Sequence, residues 1–343
     1  MIGSLFVFEW KIFALTASCT AALIALLCNT PLARWVGDCP NERSLHKAPT
    51  PRLGGLAGVC ATIIAIMTNE VIGPTKYVLV ITLGLAITSA VDDHRGLSPG
   101  LRLTLHCIAA IFFILFCILG SGEYASIKAL NSITVVAMVI IIIVWSTNLF
   151  NFMDGADGLA GGMALIGFGT YGYAAFTVVP SSDLSIVAAI IAGASLGFLL
   201  FNFPPARVFM GDAGSIPLGF LAAVLGLYGV FLEVWPVWFP VLVFSPFIVD
   251  ATVTLCRRLV KGEKFWLAHR QHYYQRLILS GWSHRRTTLA YYVVMLTGAV
   301  SALYARKLFD PLPILGLWVI AYSLLLICLE RYLQARKNNS NQQ

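Results

Sequence analysis

Residues Asn148–Gly162 read "NLFNFMDGADGLAGG", and they follow directly on Ile133–Thr147, "ITVVAMVIIIIVWST". A run that reads as membrane helix thus closes in two asparagines, two aspartates and four glycines. About 20 predominantly apolar residues suffice to cross a bilayer core, so the polar cluster falls where such a helix would leave the membrane. Asn148, Asn151 and Asp154 are spaced i, i+3, i+6 and share one helical face about 120° wide. Facing lipid, these amides and this carboxylate would lose their hydrogen bonds to water without replacement. The face therefore meets a polar cavity or other helices. Interhelical hydrogen bonding alone is the competing explanation. Gly155 and Gly158 let the backbone turn sharply or approach a ligand closely.

The rest of the chain fits this beginning. Of 343 residues, 58% are hydrophobic and only 11% charged, with a mean hydropathy of +0.82. Soluble domains carry about a quarter charged residues, so the composition excludes a soluble globular class. We read an all-α, polytopic membrane protein with about eleven candidate helices. They lie at residues 11–30, 54–72, 77–92, 102–120, 132–150, 159–179, 184–203, 213–232, 235–255, 289–305 and 312–331. No part is left over for a separate soluble domain, so residues 1–343 read as one transmembrane catalytic domain. The eight cysteines are scattered without a CxxC pair and imply neither a zinc site nor a disulfide framework. Glu9 and the lack of a basic leader mark the first apolar segment as a retained helix.

Lysine and arginine set the orientation. One side holds loops 31–53, 93–101, 151–158, 204–212 and 256–288 and the tail 332–343. With Arg102 counted in its loop and Arg331 with the tail, that side carries 18 of the 23 basic residues. The expected topology has the N-terminus outside and the C-terminus in the cytoplasm.

Five acids fall on this predicted cytoplasmic face: Asp92 and Asp93 in "AVDDHRG", Asp154 and Asp157, and Asp212 in "FMGDAGS". Asp92 and Asp93 close a helix at the negative end of its dipole, which calls for a cation: His94, Arg95 or a metal ion. Asp212 precedes a helix, where an N-cap is the bland alternative. Carboxylate clusters suit Mg²⁺ or Mn²⁺ over zinc. Mg²⁺ takes one or two carboxylates together with substrate phosphates, which points to phosphate or diphosphate chemistry at the membrane surface. Two basic loops on the same side suit an anion. The first is "CPNERSLHKAPTPRLGG", Cys39–Gly55; the second, from Arg257 to Arg286, places His272 and Arg276 at i, i+4. Anionic lipid headgroups are an alternative partner for the second.

"HKAPTPRLGG", "VDDHRG", "NLFNFMDGADGLAGG", "FNFPPARVFMGDAGS" and "RQH", in this order and on one membrane side, resemble the polyprenyl-phosphate N-acetylhexosamine-1-phosphate transferases. The resemblance covers about Pro40 to Gly281. It implies transfer of an N-acetylhexosamine-1-phosphate from a UDP-sugar to polyprenyl phosphate with release of UMP, at a Mg²⁺-dependent site on the cytoplasmic face of a bacterial inner membrane. Asp92 and Asp93 then match the family's aspartate pair, associated with the lipid phosphate and proton removal. Asn148, Asn151, Asp154 and Asp157 match the nucleotide-site signature, and Asp212 the principal magnesium ligand. Lys47 and Asn202 sit where the family contacts the nucleotide sugar, and His272 takes the first place of its histidine cluster. Tyr274 and Gln275 stand where further histidines are often found. This departure, with eleven spans and an outside N-terminus, points to the branch that starts surface polysaccharides such as O-antigen rather than to the muramoyl-pentapeptide enzyme. The resemblance implies no nucleic-acid partner and leaves a homodimer open. An ion-coupled transporter would place its acids near mid-membrane. An intramembrane aspartyl protease needs two aspartates sharing a proton within the bilayer. Neither accounts for five acids at one face.

Overall fold

The computed structural model describes residues 2–31, 33, 37–38, 49–69, 75–119, 132–180, 182–264, 267 and 269–340. Each apolar run folds as helix because only helix satisfies its backbone hydrogen bonds within the segment. In chain order the helices are α1 (Ile2–Cys28), α2 (Gly54–Thr68), α3 (Thr75–Arg95), α4 (Pro99–Leu119), α5 (Ile133–Met153), α6 (Leu159–Phe176) and α7 (Asp183–Asn202). They continue with α8 (Asp212–Phe231), α9 (Trp238–Val243), α10 (Ser245–Val260), α11 (Tyr273–Leu279), α12 (His284–Ala305) and α13 (Leu312–Ser340). A two-residue antiparallel pairing joins β1 (Gly37–Asp38) to β2 (Thr50–Pro51).

Among the described residues, seven helices are long and apolar enough to cross a membrane: the Glu9–Cys28 part of α1, most of α4, α5, α7, α8, α12, and α13 as far as Asn338. The protein is thus an all-helical, polytopic membrane protein. α2 is apolar but only 15 residues long. The ninth candidate helix, expected as one piece over 235–255, is broken at Phe244 into α9 and α10. Pro246, at the start of α10, has no N–H for the helical ladder, and its ring clashes with a continuing helix.

α7 and α8 run through the middle of the bundle. α7 packs on α1, α2 and α6, and α8 on α2, α3 and α5. α13 lies outermost, its most apolar stretch unburied. The α5–α8 contact sets the register that matters for the site. A Cβ on Gly219 would stand 2.4 Å from the Ser146 carbonyl oxygen, so only glycine permits this approach. Ser146 Oγ donates to the Gly219 carbonyl at 2.8 Å across the same contact. One turn on from Ser146, the antiparallel pair brings Asn151 against Ser215 and Asp212.

A second close approach clamps the start of α2 to the start of α8. Gly54 N and Gly55 N donate to the carbonyls of Phe209 and Met210, each at 3.0 Å, and Phe209 N donates to Pro51 O at 2.9 Å. A Cβ on Gly55 would meet Gly214 Cα at 2.4 Å. This clamp carries Arg52 to the N-terminus of α8.

Candidate active site

Three carboxylates from three helices meet at one end of the bundle. α3 supplies Asp93, the residue after α5 is Asp154, and α8 opens with Asp212. Gly211, at φ +70°, forms the N-cap of α8. The capping position that was the bland alternative for Asp212 is therefore held by its neighbour. Asp212 instead turns toward α5, and Asn151 Nδ2 donates to its Oδ1 at 2.7 Å and to Ser215 Oγ at 3.2 Å. Asp93 Oδ2 accepts from Asp212 N at 3.0 Å, and Asp93 Oδ1 accepts from Arg52 Nη1 at 3.2 Å. Desolvation and then the Asp212 carboxylate push Asp93 up to about 6, against the pull of Arg52. Asp154 is raised well above the ordinary carboxylate range by desolvation, then by Asp212 and Asp93.

The mutual repulsion of these acids suits a bound divalent cation, whose charge would relieve it. Among the described residues no group of three or more His, Cys, Asp or Glu side chains closes around a single metal position. The oxygen donors gathered here are of the kind Mg²⁺ takes together with water and phosphate, whereas zinc sites favour His and Cys.

The aspartate pair read in the sequence is divided by the fold. Asp93 joins the cluster, whereas Asp92 is buried and accepts from Leu97 N at 2.6 Å, with Arg102 Nε 3.0 Å away. Arg52 and Arg102 lie beside the pair; of the cations the sequence pointed to, the His94 side chain lies outside the described residues. The signature that begins at Asn148 divides in a similar way. Asn151 and Asp154 belong to the cluster. Asn148 Nδ2 binds Val144 O at 2.7 Å and His106 Nδ1 of α4 at 3.2 Å. Asp157 Oδ2 accepts from Ala206 N at 3.0 Å, and its Oδ1 lies 3.1 Å from His284 Nδ1 of α12.

Asn202 is buried, and its amide spans two backbone groups: Oδ1 accepts from Gly158 N and Nδ2 donates to Val208 O, both at 2.8 Å. It holds the 204–208 turn to the start of α6, a scaffolding job where the resemblance implies a sugar-nucleotide contact. Arg276 places Nη1 and Nη2 on the two Glu330 oxygens of α13 at 2.6 and 2.8 Å, so an internal carboxylate occupies the guanidinium expected to reach a phosphate. Arg257 Nη1 and Tyr273 Oη share Glu330 Oε1 with it. His272 is buried, with Nδ1 3.5 Å from Asp250 Oδ1. Its ring stacks with Phe152 at 6.0 Å between centroids. Tyr274 Oη donates to Phe152 O at 3.0 Å, and Gln275 Oε1 accepts from His272 N at 3.2 Å. Lys47 lies outside the described residues.

Sequence reasoning missed His106, Asp250 and His284. A one-turn spacing from Arg102 marks His106, and an acid inside an apolar span marks Asp250. Nothing in the local sequence marks His284.

The model of glycosyl transferase family 4 matches residues 75–230, a stretch that holds Asp93, Asn151, Asp154 and Asp212. A probable undecaprenyl-phosphate N-acetylglucosaminyl 1-phosphate transferase of Bacillus subtilis is 28% identical over 83% of this chain and 83% of its own length. A decaprenyl-phosphate N-acetylglucosaminephosphotransferase of Mycobacterium tuberculosis is 28% identical, covering 88% and 85%. The chain is similar to the polyprenyl-phosphate hexosamine-1-phosphate transferases. A phospho-N-acetylmuramoyl-pentapeptide-transferase of Deinococcus radiodurans, 29% identical over 76% of this chain and 86% of its own, lies in the same range. The model of an inner membrane exporter, YdcZ, matches residues 10–120; that stretch omits Asn151, Asp154 and Asp212.

Proposed function

We propose that the protein transfers an N-acetylhexosamine-1-phosphate from a UDP-sugar to polyprenyl phosphate, releasing UMP and starting a lipid-linked surface polysaccharide of the O-antigen kind. The observation that carries this reading is the convergence of Asp93, Asp154 and Asp212, with Asn151 and Arg52, at one end of a membrane bundle. That end would face the cytoplasm of a bacterial inner membrane. There a water-soluble UDP-sugar and a membrane-held lipid phosphate can meet.

An oxygen of the lipid phosphate attacks the sugar-bearing phosphorus, and UMP leaves. A phosphate monoester loses its second proton near pH ~6, so at neutral pH most of the nucleophile is already a dianion. Asp93 then serves orientation and charge balance ahead of proton removal. Asp212, with Asp154 or Asp93, would hold Mg²⁺, which offsets charge on the diphosphate. Asn151 keeps the Asp212 carboxylate in place. Among the described residues Arg52 and Arg102 offset the cluster's charge, and Arg52 balances Asp93 when the anionic substrates are absent. Positioning supplies much of the remaining rate enhancement.

Purified protein given polyprenyl phosphate and a panel of UDP-sugars tests the proposal. The expected outcome is UMP release that requires both the lipid and one N-acetylhexosamine donor. Release of no UMP from any member of the panel would overturn it.

A further inference from the structure

Asp250 is a fully enclosed carboxylate that the transfer chemistry above does not use. It sits on α10, 3% exposed, and receives donors from three directions. Oδ1 accepts from Tyr273 N at 2.8 Å and from Thr254 Oγ1 at 3.3 Å. Oδ2 accepts from Tyr291 Oη of α12 at 2.5 Å and from Tyr274 N at 3.2 Å. The carboxylate thus caps the first turn of α11 from another helix, and His272 Nδ1 faces it at 3.5 Å. A buried charge is expensive unless several donors surround it. Four donors on its two oxygens suit an acid here, since an amide would offer only one acceptor oxygen.

The surroundings of His272 give the acid a second task. The imidazole is 2% exposed. Phe152 lies against one part of it, with Tyr274 at 6.0 Å and His269 at 4.9 Å between centroids. Phe152 stands between Asn151 and Asp154, so the ring is seated beside the turn that carries the carboxylate cluster. Nδ1 is buried and makes no hydrogen bond of its own, so the Asp250 carboxylate at 3.5 Å is the acceptor facing it, and Nε2 is the other nitrogen available to a partner. A carboxylate behind an imidazole fixes both its tautomer and its orientation.

We propose that Asp250 is a positioning residue for His272: through Nδ1 it holds the imidazole in the one orientation and tautomer that presents Nε2 to the reacting diphosphate. Tyr291 in turn fixes the carboxylate. This rests on the transferase reading of the same site.

A double-mutant cycle tests it, using UMP release by the full-length protein in detergent with polyprenyl phosphate and the preferred UDP-sugar. His272→Ala should lower kcat by roughly 100-fold or more, the range for a positioned acid–base group. Asp250→Asn should lower kcat at least about tenfold, with KM for the UDP-sugar little changed, because geometry is lost only in the transition state. In the double variant the losses should not add: it should be no slower than His272→Ala alone. A purely structural Asp250 predicts independent, multiplying losses, or a loss that tracks folded protein. Either result overturns the proposal, as does a near-wild-type kcat in His272→Ala. If Asp250→Asn does not fold, Tyr291→Phe carries the test. It leaves the charge and both backbone caps in place, and should still slow turnover several-fold in the wild-type His272 background and not in His272→Ala. Wild-type UMP release in the same assay separates failure of this proposal from failure of the transferase reading.

Discussion

Asp212→Asn separates chemistry from folding at the carboxylate cluster. The substitution changes charge and almost nothing in shape. Asn151 Nδ2 still meets an oxygen at the 2.7 Å position, but a charge-assisted bond becomes a neutral one, a loss of about 1 kcal/mol. The favourable effect of an acid in the first turn of α8 also goes, at about 0.3–1 kcal/mol. Against these stands relief from the neighbouring acids. Two carboxylates about 4 Å apart repel by ~1 kcal/mol in water and ~4 kcal/mol at the effective dielectric of a protein surface. The terms oppose, and the thermal midpoint should move little in either direction. Turnover should not be spared: losing one preorganised electrostatic partner of a developing charge typically lowers kcat about 10²–10³-fold. The assay is UMP release across a magnesium titration, run beside thermal unfolding of the same detergent preparation. Activity near wild type at every magnesium level would refute the assignment and leave Asp212 a first-turn acid. Activity that falls only as folded protein falls would refute it equally.

Asn151→Ala and Asp154→Asn should each cut specific activity by about 10-fold or more at normal expression, because their partners are Asp212 and the cluster rather than lipid-facing helix surface. Lower expression with normal specific activity would make them interhelical ties. Asp93→Asn and Asp92→Asn should differ. The first should slow turnover and keep a residual rate that rises with pH as the lipid phosphate ionises. The second should act on stability, through loss of the bonds to Leu97 and Arg102. A pH–rate profile flat from acid to alkaline in Asp93→Asn would contradict the dianion mechanism. A reporter fused after Lys337 should read as cytoplasmic, given 18 of 23 basic residues on that side; a periplasmic signal would reverse the orientation of the whole site.

The sequence by itself determined the membrane class, the approximate helix positions and the list of polar residues near the site. Each of these is local. Apolar length makes a helix, and an amide or acid at the end of such a run has few places to go. Asn151, Asp154 and Asp212 were legible for that reason, by spacing on a face and by position at a helix end. Tertiary structure decided which of those residues act together. Asp92 and Asp93 are adjacent in the chain, yet side chains one residue apart on a helix point about 100° apart; Asp93 bonds to the start of α8, whereas Asp92 acts on Asp212 through its charge. Asn202 and Arg276 are polar and well placed by sequence, but Gly158 and Glu330, which occupy them, come from distant segments, with Val208 of the adjoining turn as a further partner of Asn202. Asp250 and His272 lie 22 positions apart and meet only because Pro246 sets the start of α10 and the chain returns through α11. Pairing across such separations depends on helix register, set at contacts like Gly219 on Ser146; no periodicity within one segment encodes it.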